Sequence, residues 1–205
     1  MRTTLLIALS LALMSCGQPN SGNNQAEAEA DVPGKGVDRS HKGQPAPDIS
    51  FKDPDGGDIT LADFHGTPVL LNLWATWCAP CVKELPTLDA LAKAQRRDGA
   101  LGVIAVSQDM GPHGSVEAFL QELGTKDLGA YHDPKMALSG ALNAQILPTT
   151  ILFDREGREV WRYSGDLDWN GPEAAKLLAE VAASTRPKPA GHRSLPSRPR
   201  SAQGR

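Results

Sequence analysis

Two cysteines, Cys78 and Cys81, stand in the run Trp77-Cys78-Ala79-Pro80-Cys81, and no other segment of the chain is better equipped for chemistry. The apolar residues 68–74 come directly before them, and the pattern predicts a buried strand handing over to a helix that opens at the cysteines. A helix N-terminus carries partial positive charge and favours the thiolate of the first sulfur. Positions i and i+3 share a helix face, so the second sulfur lies beside the first, within reach of a disulfide. Pro80 falls in the first turn, where its missing N–H breaks no helical bond. These residue types at this spacing point to a redox pair. A zinc site is the weaker reading, because it needs four ligands and the chain has no second Cys-x-x-Cys and no His-x-x-x-His. An inert structural bridge is weaker too, since so small a loop stabilises little.

The third cysteine, Cys16, bears on location. Residues 1–15 have one positive charge, Arg2, and an apolar stretch at 5–14, the pattern of a secretory signal too short to span a bilayer. The ending Leu13-Met14-Ser15-Cys16 resembles the bacterial lipoprotein box, which implies lipidation of Cys16 and a stable membrane anchor. Residues 16–45 lack aromatic residues and hold only Val32 and Val37 as larger aliphatics, so a flexible tether is expected there. Its root-mean-square span would be on the order of 30 Å. Gly17 is not the aspartate that retains many lipoproteins at the inner membrane, and the choice of membrane stays open. Residues 185–205 contain six Lys or Arg, four Pro and no acidic residue, the composition of a disordered basic tail. The rest of the chain is acidic and the tail has no interleaved aromatic residue, so a nucleic-acid partner is excluded.

One domain's length of chain remains, residues 46–184. Strands at 48–52 and 58–60 are expected around the turn Asp53-Pro54-Asp55-Gly56-Gly57, forming an N-terminal β-hairpin. A helical turn follows at 61–64, then the buried strand at 69–74 and a helix over 79–95 containing Pro86 as a kink. Next come a buried strand at 101–107, a helix at 115–123 capped by Ser115, a short strand at 130–132 and a short helix at 135–142. A hairpin of 149–154 and 158–164 and a last helix at 171–184 complete the domain. Strands alternating with helices before a closing hairpin give a three-layer α/β fold with a mixed sheet.

The motifs Ala46-Pro47-Asp48, Leu71-Asn72-Leu73-Trp74-Ala75-Thr76-Trp77-Cys78-Ala79-Pro80-Cys81, Glu84-Leu85-Pro86 and Leu147-Pro148-Thr149-Thr150 together resemble the thioredoxin superfamily. The match is to its TlpA/ResA-like branch of membrane-anchored bacterial thiol–disulfide oxidoreductases, and residues 153–157 and 165–169 also fit. The resemblance implies a thioredoxin-like α/β/α sandwich with the N-terminal hairpin and an inserted βα unit near 108–142. It implies that Cys78, at an exposed helix start, attacks and that Cys81 resolves the mixed disulfide. Leu147-Pro148 matches the cis-proline loop that faces the cysteines, and Trp77, Ala79, Pro80, Leu147 and Thr149 become active-site neighbours. Plain thioredoxins keep a carboxylate on the strand beneath the site, where this chain has Asn72. Glu84 stands where the branch places its carboxylate, implying that it tunes the cysteines or relays the proton of Cys81; the competing reading is a solvated surface glutamate. His132 lies near no motif and is expected in a loop.

The expected activity is therefore reduction of client disulfides in the cell envelope, facing the periplasm, with cytochrome c or copper-site assembly as the client class. A transmembrane thiol reductase would supply electrons, and no cofactor beyond the Cys78–Cys81 pair and no metal is expected, nor any oligomer. The resemblance implies a reducing potential, near the roughly −270 mV of thioredoxin. Two alternatives fit the residues less well. A peroxiredoxin-type peroxidase needs Thr three residues before its cysteine, where this chain has Ala75. A copper-binding module needs a spacing one residue longer and a distal His.

Overall fold

The computed structural model describes residues 35–184. Eight strands and four helices run in the order β1 (Gly36–Asp38), β2 (Phe51–Lys52), β3 (Asp58–Ile59), β4 (Val69–Trp74), α1 (Ala79–Asp98), β5 (Gly102–Ser107), α2 (His113–Leu123), β6 (Tyr131–His132), α3 (Ala137–Ala141), β7 (Thr149–Phe153), β8 (Glu159–Ser164) and α4 (Pro172–Ser184), with a 3-10 turn at Leu61–Phe64. Every residue of β4 is buried, as expected of a strand covered on both faces. It occupies the middle of one eight-stranded sheet, ordered β1-β8-β7-β4-β5-β6-β2-β3. Strands β4, β5 and β6 are parallel and the remaining pairings antiparallel, so the sheet is mixed.

Alternate residues of β4 feed two cores. Leu70 and Trp74 face α1, α2 and α4, whose Leu85, Leu88, Val116, Leu120, Ala174 and Leu177 complete that layer. Leu71 and Leu73 face the opposite side, where Leu61, Phe51, Leu138 and Leu142 cover them. This is the expected three-layer sandwich. The stretch between β5 and β7 is the expected insertion: α2 crosses over to set β6 parallel to β5, and α3 follows. Helix α1 runs to Asp98, three residues past expectation, with Pro86 inside it, and stops where Gly99 turns left-handed at φ 62°.

Four expectations need correction. Residues 35–45, assigned to the tether, belong to the domain: β1 pairs with β8 through Gly36↔Ser164, Val37↔Tyr163 and Asp38↔Arg162. Such a strand requires backbone donors and acceptors beside an open sheet edge rather than a run of apolar side chains. Hydrophobic content therefore understated it. The rest of the tether, the signal segment, Cys16 and the basic tail lie outside the described residues. Helix α2 starts at His113, and Ser115 donates to the Pro112 carbonyl at 2.7 Å rather than capping a free N–H. The first hairpin strand is only Phe51–Lys52, and the hairpin joins the sheet at β6. His132 is not a loop residue: it lies in β6, 1% exposed, with Nε2 against the Asp109 carbonyl at 2.7 Å.

The backbone N–H of Gly43 donates to the Glu159 carbonyl at 2.7 Å and that of Gln44 to the His41 carbonyl at 3.0 Å. Both amides should therefore exchange with deuterium far more slowly than amides of an unfolded chain. Exchange at the unprotected rate would return residues 35–45 to a tether.

Candidate active site

Strand β4 ends at Trp74, and a turn at 75–77 delivers the chain to the start of α1. The Cys78 N–H closes that turn on the Ala75 carbonyl at 3.1 Å. Asp109, just past the end of β5, holds the turn from the side: it accepts from the Thr76 N–H at 3.0 Å and the Thr76 hydroxyl at 2.7 Å. The Ser107 hydroxyl donates to the same carboxylate at 2.6 Å. No spacing rule in the sequence singled out Asp109, because its partners are joined only when two parallel strands lie side by side.

Cys78 is the N-cap of α1, and its sulfur accepts from the Cys81 N–H at 3.3 Å. The two sulfurs are joined in a disulfide with Cα atoms 5.3 Å apart. Cys78 is 7% exposed and Cys81 fully buried. Cys78 is thus more covered than an exposed helix start suggested, while Cys81 is the recessed partner. The opening above Cys78 is a groove of about 410 Å3, whose walls include Trp77, Ala79, Pro80, Met136, Ala144 and Leu147. Trp77 is 66% exposed and Met136 38%, so the rim presents apolar surface to solvent. Met136 and Ala144 come from the insertion, and nothing in the sequence alone assigned them to this groove.

The Leu147–Pro148 peptide is cis, as the resemblance implied. The Pro148 carbonyl accepts from the Gly165 N–H at 2.9 Å, and the Thr149 hydroxyl donates to the Ile146 carbonyl at 2.6 Å. This loop supplies Leu147 to the groove that contains Cys78.

Glu84 lies one turn below the disulfide and is no surface residue: it is 3% exposed. Its Oε1 accepts from the Asn72 side-chain amide at 2.7 Å, and its Oε2 from the Leu167 N–H at 2.9 Å. Asn72 also donates to the Thr150 hydroxyl at 2.9 Å, so it links β4, α1 and β7. Burial pushes the Glu84 carboxyl up to about 7, although the Leu167 N–H, Asn72 and Trp169 favour the ionised form; the negative charge of Asp166 adds to the rise. A carboxyl that changes charge near neutrality, beside a buried thiol, can give and take protons during exchange.

Among the described residues, no group of three or more His, Cys, Asp or Glu is arranged to hold a metal ion. No helix among them is long and apolar enough to cross a membrane. The structure brings Trp77, Cys78, Ala79, Pro80, Cys81, Leu147 and Pro148 to one end of the sheet, with Glu84 beneath, and Cys16 lies outside the described residues.

The Redoxin family profile matches residues 41–178. The thiol-disulfide oxidoreductase ResA of Geobacillus kaustophilus (strain HTA426) is 35% identical over 115 residues, covering 56% of this chain and 64% of that protein. The ResA of Bacillus thuringiensis (strain Al Hakam) is 33% identical over 124 residues, 60% of this chain and 70% of that protein. The chain therefore matches only about two thirds of those proteins' length. Among solved structures, a Chlorobium tepidum protein assigned as thiol:disulfide interchange protein DsbE superposes with a TM-score of 0.57 at 26% identity, covering 70% of this chain and 96% of that one. The pneumococcal exposed lipoprotein thioredoxin Etrx1 of Streptococcus pneumoniae strain TIGR4 gives 0.56 at 25% identity, covering 67% and 99%.

The raised Glu84 carboxyl has a thermodynamic consequence. Between about pH 4.5 and 7 the carboxyl is protonated in the folded chain and ionised in the unfolded one, so folding takes up a proton. Stability from this source is full below pH 4.5 and is lost as pH rises through 7. In urea unfolding of the oxidised protein, wild type should lose about 3 kcal/mol relative to Glu84→Gln across that window. A pH-independent difference between the two would show that Glu84 ionises in the ordinary range.

Proposed function

The chain belongs to the Redoxin family, in its ResA-like branch of the thioredoxin superfamily, and we propose that it is a thiol–disulfide oxidoreductase that reduces disulfides of client proteins in the bacterial envelope. The observation that carries this reading is the Cys78–Cys81 disulfide at the N-terminus of α1, with Cys78 opening to an apolar groove and Cys81 buried behind it.

In the reduced protein, the helix terminus and the Cys81 N–H favour the Cys78 thiolate. That thiolate attacks one sulfur of a client disulfide; a mixed disulfide forms, and the client's other sulfur leaves as thiolate. Cys81 then loses its proton and attacks the Cys78 sulfur. The Cys78–Cys81 bond closes, the client leaves with two thiols, and two electrons have passed to it. Glu84 in its ionised form is suited to accept the Cys81 proton, because its carboxyl titrates near 7. The apolar rim of Trp77, Met136 and Leu147 suits an unfolded or extended client segment around its cystine. A membrane thiol reductase would return the pair to its dithiol form.

The signal-like residues 1–15 and the lipoprotein-box ending at Cys16 support an envelope address through a lipid anchor. The similarity to an exposed lipoprotein thioredoxin is in keeping with it. A disulfide-exchanging protein also suits an oxidising compartment. The client class, cytochrome c or copper-site assembly, is part of this proposal and rests on the resemblance alone.

Cys81→Ser should leave a thiolate that attacks client disulfides and cannot be expelled. Reductant-sensitive complexes should then accumulate on a non-reducing gel, and Cys78→Ser should trap far less, because Cys81 is recessed. Equal trapping by both variants would overturn the assigned roles, and peroxide turnover without client trapping would favour the peroxidase instead. Cys16→Ser should move the protein from the membrane fraction to the soluble envelope contents. Continued sedimentation with membranes would refute the lipid anchor.

A further inference from the structure

The loop after β8 docks on α1 through Asp166, Leu167 and Trp169. The Leu167 N–H donates to Glu84 at 2.9 Å, and the Trp169 N–H donates to the Thr87 hydroxyl at 3.1 Å. Just before them, Asp166 is gripped from two sides: Lys83 of α1 reaches one carboxylate oxygen at 3.3 Å, and Lys35 reaches the other at 3.2 Å. Lys35 directly precedes β1, the edge strand that sequence composition had left in the tether. Its stem lies against Gly165, where a Cβ would come within 2.9 Å of the Lys35 side chain, and Gly165 also has φ 96°. A bare α-carbon there lets the lysine reach its partner.

We infer that Asp166, clamped between Lys35 and Lys83 and adjoining the Leu167 N–H that binds Glu84, is a positioning residue whose charge biases proton exchange at Glu84, so that the segment leading into β1 tunes the chemistry beneath the disulfide. The inference rests on the proposed thiol–disulfide exchange for its functional meaning. The groups around Glu84 divide simply. Strand β4 contributes neutral Asn72, the loop contributes the Leu167 N–H, the Trp169 indole and the Asp166 carboxylate, and α1 contributes the disulfide and Lys83. Asp166 opposes ionisation of Glu84, and the two lysines offset Asp166. Burial works against Asp166's own charge, but both lysines together hold its carboxyl below the ordinary range, so it stays ionised while Glu84 titrates. Lys83 is largely exposed, whereas Lys35 and Asp166 are 23% and 26% exposed, so salt screens the Lys35 contact less.

The test reads Glu84 directly, through its carboxyl-carbon NMR signal in the oxidised full chain, identified by its absence in Glu84→Gln. Asp166→Asn removes a negative charge and leaves two cations. The inflection should move down by on the order of half a pH unit. The double variant Lys35→Ala/Lys83→Ala leaves Asp166 unbalanced, and the inflection should move up by a similar amount. A merely structural loop would give another pattern, since loosening it in either variant admits water and moves both inflections down towards the ordinary carboxylate range. Opposite shifts support the clamp; shifts of the same sign, or none, overturn it. The pH profile of disulfide-exchange rate, compared between wild type and Glu84→Gln, addresses the functional reading separately. Identical profiles there would remove Glu84 from the exchange reaction while the titrations still judged the clamp.

Discussion

The rest of the site depends on a single buried carboxylate. Glu84 sits where three parts of the fold meet, and each supplies something different: α1 carries it, β4 offers the Asn72 amide, and the loop after β8 offers the Leu167 N–H. A carboxylate this deep would be costly without those donors. With these donors and the Trp169 indole set against burial, and with Asp166 nearby, the charged and neutral forms are nearly balanced at neutral pH. Its position one turn below Cys81 also means that the donors holding it fix the loop and the strand beneath the disulfide.

The choice of Asn at position 72 follows from that balance. A second carboxylate there, within hydrogen-bond distance of Glu84, would place two like charges in a water-poor space, and one would be forced to keep its proton. It would also lack a donor for Glu84 in its charged form. Asn72 instead donates twice, to Glu84 and to the Thr150 hydroxyl, and ties β4 to its neighbour β7 under the active site. The strand keeps its polar position without adding a second titrating group.

Much of this was legible in the residues. The run 69–74 read as a central strand because it is apolar without alternation, and the cysteine spacing on a helix start read as a redox pair because the i,i+3 geometry is local. Local signals carried the elements well. What they missed depended on non-local pairing. Strand β1 has too little apolar content to announce itself, yet β8 offers it an open edge. Asp109 braces Thr76 only because β4 and β5 lie parallel, and Met136 reaches the groove only after the insertion folds back. Glu84 was legible as a candidate through the family resemblance, but its burial was not, because helical spacing does not say which face a neighbouring loop will cover.

These non-local pieces collect at the carboxyl ends of parallel strands, the end at which open α/β sheets place their sites. The turn at 75–77 leaves the end of β4, and Asp109 follows the end of β5. Strand β4 is buried and paired with β5 and β7, and the last four residues of β5 are buried, so the turn they support has little freedom to shift. The Cys78 sulfur, the proposed nucleophile, therefore starts from a rigid platform, while Trp77 and Met136, which line the groove beside it, are exposed side chains free to adapt. Thiol–disulfide exchange requires three sulfurs close to a line at the moment of transfer, so a rigid nucleophile with a yielding rim is a sound division. The same division explains why substrate choice should be sought in the insertion and the Leu147 loop, and reactivity in α1 and the carboxylate beneath it.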